Sequence, residues 1–339
     1  MRACSGDTRP SAGGGPTFSV LIAAHDAEAT IGDTLSSLVA QTDPDWEACV
    51  VDDGSRDGTL LVAQRYAALD SRIRVYAQAN RGAAAARNEA ARHAGGRYIC
   101  ILDSDDAYRD TYLERQRALM LEHPGFDLYS CNADGLYETG EIRPFFPDFY
   151  PQQVVSLRLE DIIERDIIFV AAVVSADLFR SLGGFRESVY VEDYDLWLRL
   201  LASGGRHIHN PEALVIYRVR TSSKSSFEVQ RLESLNEVFE HLSSHFELDG
   251  RVLRLIEGQM ATNRHRLPIA RAEQVRHVLE DRLCAGQYAH ARSFYWESRR
   301  AFPNTVKFLA GLIMVVASPR ILARVLCSSD RMDGAGLRD

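Results

Sequence analysis

The stretch Tyr98-Ile99-Cys100-Ile101-Leu102-Asp103-Ser104-Asp105-Asp106 decides how this chain is read. An apolar run of strand length ends in three carboxylates within four residues. A buried strand delivers side chains accurately to a sheet edge. Carboxylates packed that closely repel one another unless positive charge lies among them. A divalent cation with an anionic ligand on its far side is the simplest such arrangement. Asp103 and Asp105, two apart on an extended chain, point to the same side. The competing explanation is a strand end followed by a helix N-cap, and D-x-D alone does not separate the two.

Working outward, strand and helix signals alternate four times before that stretch ends. Phe18 to Ala24 reads as a buried strand, Thr30 to Ala40 as a helix with Ile31, Leu35, Leu38 and Val39 at helical spacing, and Trp46 to Val51 as a strand. A helix from Thr59 to Leu69, a strand from Ile73 to Tyr76 and an alanine-rich helix opened by Arg81-Gly82 follow. That alternation predicts an α/β fold with a mostly parallel, Rossmann-like sheet and right-handed crossovers. Ligands of such sheets sit at the carboxyl ends of the strands. His25-Asp26, Asp52-Asp53 and Asp103 to Asp106 all fall at such ends.

The second half is less regular. Strands are expected at Asp127 to Cys131, Ile168 to Ser175 and Leu214 to Arg218, with helices at Ala176 to Leu182 and from Glu192 through Leu201. From about Glu228 the composition turns to helix formers, so residues 228–339 are read as a helical C-terminal region after a 17–227 core. Residues 1–16, rich in Gly, Ser and Pro, read as a disordered leader. Phe308 to Ala317 is an apolar run of ten residues, against the roughly 20 needed to cross a bilayer. No acidic residue occurs from Arg299 to Arg324. A helix lying on a membrane surface through residues 299–326 and a helix buried against the tail both account for this pattern.

The net charge of −8 argues against a general nucleic-acid binder. The six cysteines are scattered without a CxxC pair, which points to reduced thiols in a cytoplasmic protein and away from a structural zinc site. No G-x-G-x-x-G follows an expected strand, so a dinucleotide dehydrogenase is disfavoured.

Three further clusters carry chemistry. Asp52-Asp53-Gly54-Ser55 places adjacent acids at the end of an apolar strand, where they are costly without partners. Asp57 and Thr59 read as turn and helix-start residues. Arg81-Gly82 opens a helix whose N–H groups attract anions, and Arg87 adds charge toward a diphosphate or pairs with nearby acids. Glu192-Asp193-Tyr194-Asp195 has more acids than a helix start requires, so one of them suits a general base.

In that order these segments, with Ser19-Val20-Leu21-Ile22, Ala86-Arg87-Asn88 and Leu182-Gly183-Gly184-Phe185, resemble glycosyltransferase family 2. Each motif is weak alone; their ordered combination over Phe18 to Ser226 is specific. The resemblance implies a GT-A fold and an inverting transfer of sugar from a UDP- or GDP-sugar donor. The acceptor would be a hydroxyl of a glycan, a lipid-linked sugar or a small molecule, as in polysaccharide assembly. By position, it implies Asp53 at the nucleotide base with Asp52 beside it, Asp103 at the ribose, and Asp105 as ligand of Mg²⁺ or Mn²⁺. Asp193 would be the general base. Ala24, Asp26, Arg81, Gly82, Arg87, Ser104, Glu192 and Arg220 would complete the substrate-binding set.

The chain departs from the family pattern at His25-Asp26, where Tyr-Asn is frequent, and at Arg220, where many members carry a histidine. Arginine cannot ligate a metal but pairs with a diphosphate. Two rivals remain at this level: a sugar-1-phosphate nucleotidyltransferase, whose G-x-G-T-R-L loop is missing after the first strand, and a non-catalytic nucleotide-sugar-binding module.

Overall fold

A computed structural model describes residues 15–145, 151–165, 168, 170–219, 228–285, 287 and 290. Residues 1–14 of the leader, Arg220 and the segment 299–326 lie outside the described residues. The chain divides into two compact units, one of Met1–Thr221 with Glu237–Glu257 and a second of Ser222–Asn236 with Gly258–Asp339.

The first unit is built on a nine-stranded mixed sheet. Strands β1 (Phe18–Ala24), β2 (Trp46–Asp53), β3 (Ile73–Gln78) and β4 (Tyr98–Ile101) are all parallel, in the order β3-β2-β1-β4. Their connections are α1 (Ile31–Val39), α2 (Thr59–Leu69) and α3 (Ala83–Arg92), at the expected places. Helix α1 forms because Ile31, Leu35 and Leu38 recur on one face, and all three are fully buried. Helix α3 buries Ala84, Ala85, Ala86 and Ala90, whose small side chains let it lie close on β1 and β2.

Beyond β4 the sheet changes character. The short β5 (Ala107–Tyr108) precedes α4 (Tyr112–Glu122), and β6 (Leu128–Leu136) precedes the edge strand β7 (Ile142–Pro144). Helix α5 (Leu159–Glu164), β8 (Val173–Ser175), α6 (Ala176–Ser181), α7 (Glu192–Ala202) and β9 (His207–Arg218) complete the unit's core order. Strand β8 joins β4 antiparallel, β6 pairs β9 in parallel, and β5 caps β9 antiparallel. The parallel half is the one the sequence announces; the second half mixes directions. Strand β9 starts seven residues before the expected Leu214, because its first residues are mostly polar and carry no alternating signal.

Those polar residues form one buried chain of hydrogen bonds. Leu157 N–H donates to His207 Nδ1 at 3.3 Å, so His207 keeps its proton on Nε2 and donates to Ser130 Oγ at 2.7 Å. The hydroxyl donates to His209 Nδ1 at 2.8 Å, and His209 Nε2 donates to Asn132 Oδ1 at 2.9 Å. Asn132 Nδ2 closes the chain on the carbonyls of Pro151 and Pro211 at 3.1 and 2.7 Å. Every partner is used with both histidines neutral.

In the second unit the start of α8 (Glu228–His245) meets the later part of α9 (Gly250–Cys284). Val229 and Leu232 pack with Leu267 and Ala270, flanked by ion pairs Arg266–Glu228 at 2.6 Å and Arg271–Glu233. No described helix is long and apolar enough to cross a membrane.

Burial, with His209 as a second cause, pushes His207 down to about 3, and burial pushes His209 down to about 4. Both lie below the unfolded value of about 6.5, so the unfolded chain takes up these protons first. Their contribution to stability is complete above pH ~6.5 and falls as pH drops toward 4. Urea midpoints are expected to fall between pH 7.5 and 5, with a shallower fall in His207→Gln/His209→Gln. An identical pH slope in that double variant would contradict this assignment.

Candidate active site

The carboxyl ends of β1, β2, β3 and β4 converge where the strand order reverses, between β1 and β4. Ala24 ends β1 in register with Asp52, and its side chain is buried. His25 Nδ1–H donates to Asp53 O at 3.0 Å, which leaves Nε2 to accept from Asn80 Nδ2 at 3.1 Å. Asp26 adopts φ 48°, accepts from Arg56 N at 2.8 Å and donates its own N–H to Ser55 Oγ at 3.0 Å. It therefore ties the first loop to the β2 loop.

Asp53 is buried, and both its oxygens are engaged. Oδ1 accepts from Gln78 Nε2 at 2.7 Å and from Arg81 N at 2.9 Å; Oδ2 accepts from Gly82 N at 2.8 Å. This carboxylate holds the loop that opens α3. Gly54 is required beside it: φ is +72°, and a Cβ would stand 2.8 Å from Asn80 N. Asp52 accepts from Ser55 N at 3.3 Å through Oδ2, while its buried Oδ1 has no hydrogen-bond partner. Asp57 accepts from both Thr59 N and Oγ1, so it is a turn residue as expected.

The acidic stretch lies on a turn, since β4 stops at Ile101. The backbone there is not extended, so the spacing of Asp103 and Asp105 along a strand is not what aligns them. The turn itself brings Asp103, Asp105 and Asp106 together, with one oxygen of each within 4.8 Å of the others. Ser104 contributes its carbonyl to Thr30 Oγ1 at 3.0 Å. Asp106 accepts from Arg218 N at 2.9 Å, and its buried Oδ2 has no hydrogen-bond partner. Burial, then the Asp103 charge, pushes Asp106 well above the usual carboxylate range, against the opposing pull of Arg218. Clustered hard oxygens, one of them without a partner, fit an oxygen-preferring divalent cation.

Arg87 joins this turn to α7. It is 5% exposed and donates to Asp103 through Nη2 and to Glu192 through Nη1. Its guanidinium lies 5.6 Å from the centre of the Phe185 ring. Next to it, Asn88 clasps the Phe185 backbone, donating to Phe185 O and accepting from Phe185 N, each at 2.9 Å. Of the two roles open to Arg87 in the sequence, pairing with acids is the one observed.

The three acids at the start of α7 have separate fates. Asp195 is fully buried between Arg186 Nη1 at 3.0 Å and Arg199 Nε at 2.7 Å, and Arg199 also donates to the carbonyls of Leu182 and Gly184. Glu192 is held by Arg87. Asp193 is half-buried and accepts from Tyr194 N at 2.8 Å. Burial first, then the Glu192 charge, raises its carboxyl to about 6, with Arg87 acting in the opposite direction.

A cavity of about 650 Å³ lies over these groups, lined by Arg81, Gly82, Arg87, Asp103, Glu192 and Asp193, among others. The sequence did not single out four further lining residues, Glu187, Val189, Tyr190 and Tyr217. Glu187 pairs with Arg81 at 2.9 Å. Its place just after Gly183-Gly184-Phe185 is the only signal that pointed to it; Tyr190 has none.

The family model for glycosyl transferase family 2 matches residues 19–181. TuaG of Bacillus subtilis (strain 168), a glycosyltransferase named for teichuronic acid biosynthesis, is 35% identical over 219 residues, 62% of this chain and 82% of TuaG. The chain belongs to glycosyltransferase family 2. A second family member, the Escherichia coli UDP-Glc:alpha-D-GlcNAc-diphosphoundecaprenol beta-1,3-glucosyltransferase WfgD, is 32% identical over 218 residues, 63% of this chain and 82% of WfgD. Among solved structures, S. aureus TarS 1-349 in complex with UDP-GlcNAc superposes with a TM-score of 0.63 at 19% identity, over 95% of this chain and 93% of that one. A mannosyltransferase, PcManGT of Pyrobaculum calidifontis, solved with GDP-Man and Mn2+, gives 0.57 at 19% identity, over 94% and 89%. The protein is a glycosyltransferase with the GT-A fold, a mixed α/β sheet followed by a helical C-terminal region.

Arg87 is buried between two carboxylates, so removing it leaves them facing each other. Arg87→Ala is expected to cost about 3 kcal/mol of unfolding free energy. Arg87→Lys, without the forked guanidinium, should recover only part of it. Chemical denaturation checks both, and a loss below ~1 kcal/mol for the alanine variant would contradict the bridging role.

Proposed function

We propose that this glycosyltransferase moves a sugar from a nucleoside-diphosphate sugar to a hydroxyl acceptor by a single displacement, with inversion, in polysaccharide assembly. The observation that carries the reading is the division of labour at α7. Asp195 is enclosed by two arginines and Glu192 is held by one, which leaves Asp193 on the cavity with its carboxyl raised to about 6. A carboxylate of that pKa is ionised at pH 7 yet basic enough to accept a proton as an alcohol attacks.

In this reading Asp193 takes the hydroxyl proton. The acceptor oxygen bonds to the anomeric carbon as the bond from that carbon to the diphosphate oxygen breaks, and the nucleoside diphosphate leaves with the electron pair. Attack and departure on opposite faces invert the centre. The N–H groups at the start of α3 and the Arg81 guanidinium attract the diphosphate. Asp103, Asp105 and Asp106 would hold Mg²⁺ or Mn²⁺, which when bound neutralises charge on the leaving group. Asp52 and Asp53, at the end of β2, border the place for the nucleotide base. UDP-Glc, in the name of WfgD, and UDP-GlcNAc and GDP-Man, bound in the TarS and PcManGT structures, are the first donors to test. A nucleotidyltransferase would release pyrophosphate; this reading requires release of a nucleoside diphosphate.

Asp193→Asn should lower kcat by at least ~100-fold while nucleotide affinity stays within a few-fold. In the wild type, kcat/KM should rise with pH through a limb near 6, because Asp193 must lose its proton to act. Unchanged turnover in Asp193→Asn would refute the base assignment. A thermal-shift series with UDP and GDP, with and without Mn²⁺, should show stabilisation that depends on the metal.

A further inference from the structure

The cavity is lined in two chemical styles. The β3–α3 loop and the start of α3 contribute Arg81 and Gly82, which suit a phosphorylated donor, and α3 and the β4 turn add the paired Arg87 and Asp103. The second half contributes apolar groups, Ile168, Val170 and Val189, two aromatic rings, Tyr190 and Tyr217, and the carboxylates of Glu187, Glu192 and Asp193. Tyr190 stands out among these. It is 47% exposed, although Val189 before it is 6% exposed and Tyr194 just after it is 3%. A half-exposed ring between anchored neighbours presents aromatic surface at a fixed place. It lies two residues before Glu192 and three before Asp193.

We propose that Tyr190 determines acceptor specificity, stacking on the CH face of a pyranoside acceptor whose hydroxyl is presented to Asp193. The inference rests on the transfer reaction proposed above and adds the acceptor's class. A pyranose ring has an apolar face and a hydroxyl-bearing edge, and this part of the cavity offers both kinds of partner, a ring beside the carboxylates of Glu187, Glu192 and Asp193. An alkyl chain would cover those carboxylates without giving them hydrogen bonds, which is costly. A serine hydroxyl on a peptide would leave the aromatic face without a matching surface.

The test uses the full chain with Mg²⁺, the three donors UDP-glucose, UDP-N-acetylglucosamine and GDP-mannose, and phenyl β-glucopyranoside and phenyl N-acetyl-β-glucosaminide as acceptors. A serine-containing peptide and n-octanol serve as alternatives. With the donor that is turned over, Tyr190→Ala should raise the acceptor KM at least tenfold, with a smaller change in kcat. Tyr190→Phe and Tyr190→Trp, which keep a ring, should stay within threefold of the wild type. An unchanged acceptor KM in Tyr190→Ala overturns the proposal, as does an equal loss in Tyr190→Phe. Preference of the wild type for the peptide or the alkanol, or turnover with neither glycoside, overturns it as well. Calorimetric titration of UDP and GDP separates the two levels. Nucleotide binding with no glycoside turnover overturns the acceptor class alone, and no binding of either nucleotide to the wild type overturns the underlying reading with it.

Discussion

The bridge from Arg87 to Asp103 and Glu192 is the interaction on which the site depends. Asp103 belongs to the turn after the fourth parallel strand, and Glu192 opens a helix that arrives some ninety residues later. Either carboxylate alone beside the other would be repelled. A buried guanidinium with forked donors satisfies both in fixed directions, and its own charge is justified by having two partners. Asn88, the next residue, adds a two-way clasp on the Phe185 backbone. One turn of α3 thus fastens the nucleotide-side turn to the loop and helix that carry the candidate base.

Once that fastening is in place, the many acids of the site fall into distinct jobs. Asp53 holds the loop at the start of α3, Asp26 ties two loops together, and Asp106 anchors the end of β9. Asp195 locks Arg186 and Arg199. The proposed chemistry draws on the acidic turn of Asp103, Asp105 and Asp106 for the cation and on Asp193 at the cavity for the proton. Most of the acidic residues therefore build the geometry, and few are left to act on substrate.

The parallel half was legible because its strands are continuous apolar runs that end in polar clusters, and its helices repeat Ile31, Leu35 and Leu38 or small alanines on one face. Strand β9 was read short because His207, His209 and Asn210 look like loop residues until Ser130 and Asn132 of β6 are placed beside them. The acidic cluster at the end of an apolar strand is legible in the sequence, but the same-side placement of Asp103 and Asp105 comes from a turn and not from an extended chain. Which acid of Glu192-Asp193-Tyr194-Asp195 lines the cavity without an arginine holding it cannot be read from spacing. It depends on Arg87, Arg186 and Arg199, which come from three different places in the chain. Tyr190 gave no sign at all, because exposure of a single aromatic is a property of the packing around it.

These elements converge on one geometric statement: a diphosphate at the start of α3, with the anomeric carbon turned toward Asp193. A crystal structure of the Asp193→Asn protein with an unhydrolysed donor sugar nucleotide and Mn²⁺ measures it directly. Anomalous density for manganese is expected at the Asp103–Asp105–Asp106 turn, with phosphates near Arg81 and Gly82 and the face of the anomeric carbon opposite the diphosphate oxygen open to residue 193. A nucleotide bound away from the ends of β1 to β4, or an anomeric carbon with that face turned away from residue 193, would contradict it.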